Sequence, residues 1–122
     1  MPTKKLIAKK PALNTVIPVQ GNWADQALDE NGVMHFVIEH KTGAKDYHCD
    51  YTYQKMNGNL APAKRISGDI SRAEVPRISI SPQRIRIIFE STAVQPPTHY
   101  YVDSFDGGLN FTLPQQLMIV NG

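Results

Sequence analysis

The residues best equipped for chemistry fall into three groups, and each group also has a plainer reading. Asp103 and Asp106 lie just before the pair Gly107-Gly108 and could form an acid pair or a calcium loop. Calcium loops space their oxygens more densely than this. An Asp beside a Gly-Gly turn is also explained by bonds from turn amides to its carboxylate. His40, His48, Cys49 and Asp50 carry metal-competent atoms. His48 and Cys49 are adjacent, however, so on a strand they point to opposite faces. No C-x-x-C or H-x-x-x-H spacing accompanies them, so no metal site is expected. Arg65, Arg72, Arg77, Arg84 and Arg86 are a numerous third group. Yet the chain has no Ser-His-Asp context, no phosphate loop and no dinucleotide fingerprint. The pattern predicts no catalytic residue and no cofactor: a protein that is not an enzyme.

The aromatic residues Trp23, Tyr47, Tyr51, Tyr53, Tyr100 and Tyr101 are the remaining handle. Aromatic faces stack on sugars and anchor protein interfaces, and they also fill cores. His99 and Tyr101 share the face opposite Val102, which makes them the more exposed pair. With Trp23, the only tryptophan, they are the candidate ligand or interface residues. Cys49 lies on the Tyr47, Tyr51, Tyr53 side of its strand and reads as a buried small hydrophobe.

The elements that carry these residues read as β throughout. Val16, Ile17 and Val19 with Pro18 predict a short edge strand within 13–19. Trp23 to Asp29 fits one helical turn or a strand. Asp29-Glu30-Asn31-Gly32 is a hairpin turn. Val33 to Glu39 alternates, with Met34, Phe36 and Ile38 on the expected inward face and Val33, His35, Val37 and Glu39 opposite. Tyr47 to Gln54 alternates again and ends at Asn57-Gly58. Strands are also predicted over Val75 to Ser81, over Arg84 to Glu90 with Ile85, Ile87 and Phe89 inward, and over Gln115 to Val120. Tyr100 to Phe111 reads as a strand, a tight Asp-Gly-Gly turn and a new strand from Leu109. No window of about 11 residues keeps a helical period, so the fold class is all-β and antiparallel.

A shift of 51 lays Met34, Phe36 and Ile38 on Ile85, Ile87 and Phe89, Glu39 on Glu90, His48 on His99 and Leu60 on Phe111. Ala27-Leu28-Asp29 matches Ser79-Ile80-Ser81 once one turn residue is dropped. The chain therefore reads as a basic arm over 1–12 and one β domain over 13–122, with repeat units at 23–72 and 74–122. Val37 and Ile88 are apolar on the face opposite the inward set, as in a sheet covered on both sides.

The spacing Ser104-x-Asp106-x-Gly108-x-x-Phe111 resembles the Asp-box, the S-x-D-x-G-x-x-W hairpin of BNR-repeat sialidases and related β-propellers. Phe111 stands where that box has Trp, and Asn110 where it has Thr. The first unit has Lys55-Met56-Asn57-Gly58 at the corresponding turn, without the Ser and Asp. The resemblance implies a propeller-blade scaffold in which Ser104, Asp106, Gly108 and Phe111 form a structural turn. Sialidases of that family bind a carboxylate with three arginines, beside a nucleophilic tyrosine and its acidic partner. The family's arginine-isoleucine-proline motif is absent here, since Arg77-Ile78 is followed by Ser79. Two blades cannot close a ring, because propellers need about four to eight. The chain is then a piece of a longer protein, a homo-oligomeric ring, or a compact β-sandwich or barrel. Met1 and the terminal Asn121-Gly122 read as chain ends, which disfavours the piece.

Composition bounds the partners. The chain has 122 residues, 41% hydrophobic and 20% charged, as an ordinary globular domain has. A net charge of +2 is too small to imply specific nucleic-acid binding. Lys4, Lys5, Lys9 and Lys10 concentrate in the arm, a candidate docking segment. No apolar run approaches the roughly 20 residues of a membrane helix, and Leu6-Ile7-Ala8 is too short for a signal peptide. A cytoplasmic protein, or one released or assembled without signal processing, fits this pattern. A single cysteine excludes an internal disulfide. The functional expectation is a non-enzymatic binding module, carbohydrate-directed and oligomeric. The alternative is a structural protein docked on a larger assembly through its arm, such as a virion surface protein or a toxin-neutralising partner.

Overall fold

The computed structural model describes residues 21–43 and 46–118. Within them the chain forms eight β-strands and no helix, hence no helix long and apolar enough to cross a membrane. The expected strand within 13–19 and the basic arm lie outside the described residues. Strands β1 (Trp23–Leu28), β2 (Met34–Gly43), β3 (Asp46–Tyr53) and β4 (Lys64–Arg65) make one antiparallel sheet in sequence order. Strands β5 (Ala73–Ser81), β6 (Arg84–Ser91), β7 (Thr98–Ser104) and β8 (Gln115–Gln116) make a second in the same way. Neither sheet closes into a barrel. Trp23 to Leu28 is strand, of the two forms open to it, because β2 offers it a complete ladder from Trp23↔Glu39 to Leu28↔Met34.

The two sheets share one register. Leu28↔Met34 recurs as Ile80↔Ile85, Val37↔Tyr51 as Ile88↔Tyr101, and Tyr51↔Lys64 as Tyr101↔Gln115. The offsets are 52, 51, 50 and 51 for the four successive strands (28 to 80, 34 to 85, 51 to 101, 64 to 115). Bonds beyond the strands repeat as well. Ala61 N–H donates to the Tyr53 carbonyl at 2.8 Å, as Thr112 N–H donates to Asp103 at 2.8 Å. Because the offset falls to 50 at β3, His99 is the counterpart of Cys49 and not of His48. The uniform shift of 51 missed this because the span from Glu90 to its partner His99 is one residue shorter than that from Glu39 to its partner Cys49.

Alternation gives each sheet two faces. The main core lies between the Val37, Cys49, Tyr51 face of the first sheet and the Ile78, Ile85, Ile87, Phe89, Val102 face of the second. By the offsets, that face of the second sheet is the counterpart of Met34, Phe36 and Ile38. The sheets are therefore stacked in the same sense. The expected inward set Met34, Phe36 and Ile38 is not in the main core: it forms its own buried cluster on the far face, with Leu60 packed against it. A sheet covered on both sides has two inward faces, and alternation alone cannot say which one meets the other sheet.

Polar bonds fix the stack. The Asp25 carboxylate accepts from Ile78 N–H at 3.0 Å, and Glu39 accepts from Val75 N–H at 2.8 Å. Val75 has φ of 52° in a β5 bulge that turns its amide out of the ladder. Trp23 Nε1 donates to the Pro76 carbonyl at 3.1 Å. Lys64 Nζ donates to the carbonyls of Gly108 and Leu109 at 3.1 and 2.6 Å. No strand starts at Leu109, and the one expected over Gln115 to Val120 covers only Gln115–Gln116 among the described residues. Before it, Thr112 Oγ1 takes the Asp103 amide at 3.0 Å, and Pro114 has no amide to give.

Gly108 has φ of 97°, and a Cβ added to it would lie 2.1 Å from Tyr51 Oη. Its counterpart Gly58 has φ of 90°, and an added Cβ there meets nothing within 4 Å. Gly58→Ala should cost roughly 1–2 kcal/mol for the backbone alone. Gly108→Ala adds overpacking of about 1–3 kcal/mol against a buried tyrosine. Urea unfolding of the two variants checks the difference, and equal losses would contradict this packing.

Candidate functional site

Three places concentrate polar and aromatic side chains: the Asp-Gly-Gly turn, the cleft beneath it and the outer face of the second sheet.

In the turn, Ser104 is buried at the end of β7. Its hydroxyl donates to Asp106 Oδ1 at 2.8 Å and accepts from Gly108 N–H at 2.8 Å. Asp106 in turn accepts from the backbone and side-chain amides of Asn110, both at 2.9 Å. These bonds hold the Asp106 carboxyl at a pKa of about 2, the Asn110 backbone amide first among them. Phe111 leaves the turn and packs edge-on against Tyr51 with ring centroids 4.9 Å apart. Both oxygens of Asp106 are thus engaged in closing the turn. Asp103, the other member of the suspected acid pair, is held elsewhere. Arg86 grips it in bidentate fashion, Nε to Oδ1 at 2.7 Å and Nη2 to Oδ2 at 2.9 Å. That grip draws the Asp103 carboxyl below its ordinary range.

Beneath the turn, a cleft of about 160 Å³ is lined by residues including Asp29, His35, Ser81, Arg84, Ser104 and Phe105. His35 Nε2 lies 2.9 Å from Asp29 Oδ2, and its Nδ1 lies 2.7 Å from Tyr51 Oη. A carboxylate only accepts, so Nε2–H donates to Asp29, and in the neutral ring the Tyr51 hydroxyl donates to Nδ1. Asp29 Oδ1 also accepts from the amides of Asn31 and Val33 at 2.8 and 2.9 Å. This chain has the form of an acid–base relay. Tyr51, however, is 1% exposed with the Gly108 backbone against its hydroxyl, and burial raises its pKa further. The chain of bonds ties the β1–β2 turn to the Asp-Gly-Gly turn.

Of the metal-competent residues, Cys49 stands apart while His40, His48 and Asp50 come together. Cys49 is fully buried, and its thiol donates to the Ala73 carbonyl at 3.5 Å. Burial first, and the Glu39 carboxylate second, push that thiol well above its ordinary pKa. His40 and His48 face each other across β2 and β3, and each Nε2 lies 3.4 Å from Asp50 Oδ2. Among the described residues no group of three His, Cys, Asp or Glu is arranged to hold a metal ion.

The outer face of the second sheet unites the candidate residues. Arg77, Ile88, Tyr101 and Gln115 form one row across the four strands. Glu90 and His99 form a neighbouring pair, with Oε1 and Nε2 3.5 Å apart. Arg86 lies 4.4 Å over the Tyr101 ring while holding Asp103. Trp23 is 41% exposed at the margin of this face, with the Arg77 guanidinium 5.5 Å over its ring. Tyr101, His99 and Trp23 therefore contribute to one surface. Sequence reasoning counted Arg77 and Arg86 but did not place them on this face. Their signal was in the repeat: Arg77 and Arg86 stand where Asp25 and His35 stand in the covered face of the first sheet.

The pH dependence of the turn follows from Asp106. Its folded pKa lies below the unfolded value of about 4, so its contribution to stability is complete above pH 4. That contribution is lost as pH falls towards about 2. The unfolding midpoints of the wild type and Asp106→Asn should differ at pH 6 and converge by pH 2. A gap independent of pH would contradict the carboxylate's role.

No family model, curated protein or solved structure matches the chain.

Proposed function

We propose that the protein is a non-enzymatic interaction module whose working surface is the outer face of the second sheet, and that its partner is a protein surface. One observation carries this reading. Trp23, Tyr101, Arg77 and Arg86, the residue types that dominate protein-binding energies, meet on one accessible face around the apolar Ile88. The guanidinium of Arg86 over Tyr101 weighs against the carbohydrate-directed reading, because a sugar ring stacks on a bare aromatic face. The Arg86–Asp103 pair also pre-sets the Tyr101 platform, which lowers the ordering cost of binding.

Replacing Tyr101 by the photo-crosslinker benzoylphenylalanine tests the proposal, in purified protein and in lysate of the source cell. Discrete protein adducts at position 101 are expected, with none from the same residue placed at the exposed Val94. A glycan array should give no signal. A glycan signal that Tyr101→Ala abolishes, with no protein adduct, would overturn the reading.

A further inference from the structure

We infer that the protein surface engaged by this face is a second copy of the chain, seated head to tail so that the stacking of the two sheets continues from one molecule to the next. The inference rests on the reading that the outer face of the second sheet is the working surface.

Two sheets stacked in the same sense leave one face of each kind at the ends. The first sheet uses Val37, Glu39 and Tyr51 to receive the second. Ile88, Glu90 and Tyr101 are the counterparts, and they lie on the outer face. The second sheet inserts Ile80, Ile85, Ile87, Phe89 and Phe111 into the core. Their counterparts Leu28, Met34, Phe36, Ile38 and Leu60 lie on the far face of the first sheet. The ends are therefore complementary to each other and not to themselves.

Particular contacts are duplicated with only one half present. Tyr51 fills the space over Gly108, while Tyr101 and the open Gly58 are the same two partners left apart. Glu39 accepts the amide of Val75, while its counterpart Glu90 faces outward with the His99 ring beside it, Nε2 at 3.5 Å. Lys64 donates to the carbonyls of Gly108 and Leu109, and Gln115, in its place on β8, keeps a side-chain donor. Leu28 is 46% exposed although its counterpart Ile80 packs against the main core. Met34, Phe36 and Ile38 are buried within one chain, so a second copy displaces what covers them. The described chain itself reaches this face at Gly21, where an added Cβ would lie 2.3 Å from Ile38 Cγ2.

Light scattering on the full chain at about 10–100 µM should give an integer multiple of the monomer mass. Ile88→Asp blocks one end and Leu28→Asp the other, each weakening association at least about tenfold by burying an unpaired charge. An equimolar mixture of the two variants retains one intact pair of ends and should give a heterodimer that grows no further. Circular dichroism checks that both variants fold. Gln26→Asp, at an exposed position whose counterpart Ile78 is core, replaces Leu28→Asp if that variant unfolds. A mixture that stays monomeric overturns the inference, as does an oligomer sensitive to Ile88→Asp alone, the mark of a two-fold contact. A monomeric wild type that still gives adducts with another protein at position 101 overturns the second copy but leaves the working surface standing. A monomer with no adduct at all overturns both.

Discussion

The contact on which the rest of this structure depends is the Tyr51 hydroxyl against the backbone of Gly108. It joins β3 of the first sheet to the turn that follows β7 in the second. Tyr51 is oriented from one side by His35, which Asp29 holds in turn. The glycine is presented from the other side by Ser104, whose hydroxyl takes the Gly108 amide. Lys64 closes over the same turn through two carbonyls. Two hairpin turns separated by most of the chain are thereby tied to one buried phenol. The apolar core supplies most of the driving force, and this polar chain selects one arrangement of the sheets.

Much of the fold was legible because its signals are local. Alternation marked Met34 to Glu39 and Arg84 to Glu90 as strands, and Asn31-Gly32, Asn57-Gly58 and Gly107-Gly108 marked turns that all proved to need positive φ at glycine. What was not legible depends on stacking. Val37 enters the main core while Met34, Phe36 and Ile38 do not, and nothing in an alternating strand says which of its two apolar faces meets the other sheet. The bulge at Val75 was likewise hidden. A β-branched residue at φ of 52° runs against its own preference and is held there by Glu39, 36 positions away.

The candidate surface was partly readable. Tyr101 and His99 were separable from the core by parity alone. Arg86 and Asp103 required the register, because Arg86 closes on Asp103 only when β6 and β7 pair as they do. The suspected acid pair of Asp103 and Asp106 dissolved for the same reason: their neighbours in space are an arginine and an asparagine.

Cys49 lends one feature a further use. It is the only thiol in the chain, it lies at the centre of the stack with no exposed surface, and burial keeps it protonated. An alkylating reagent can meet it only when the two sheets part. The rate at which the thiol is modified is then a clock for that opening, read from the natural sequence without a label.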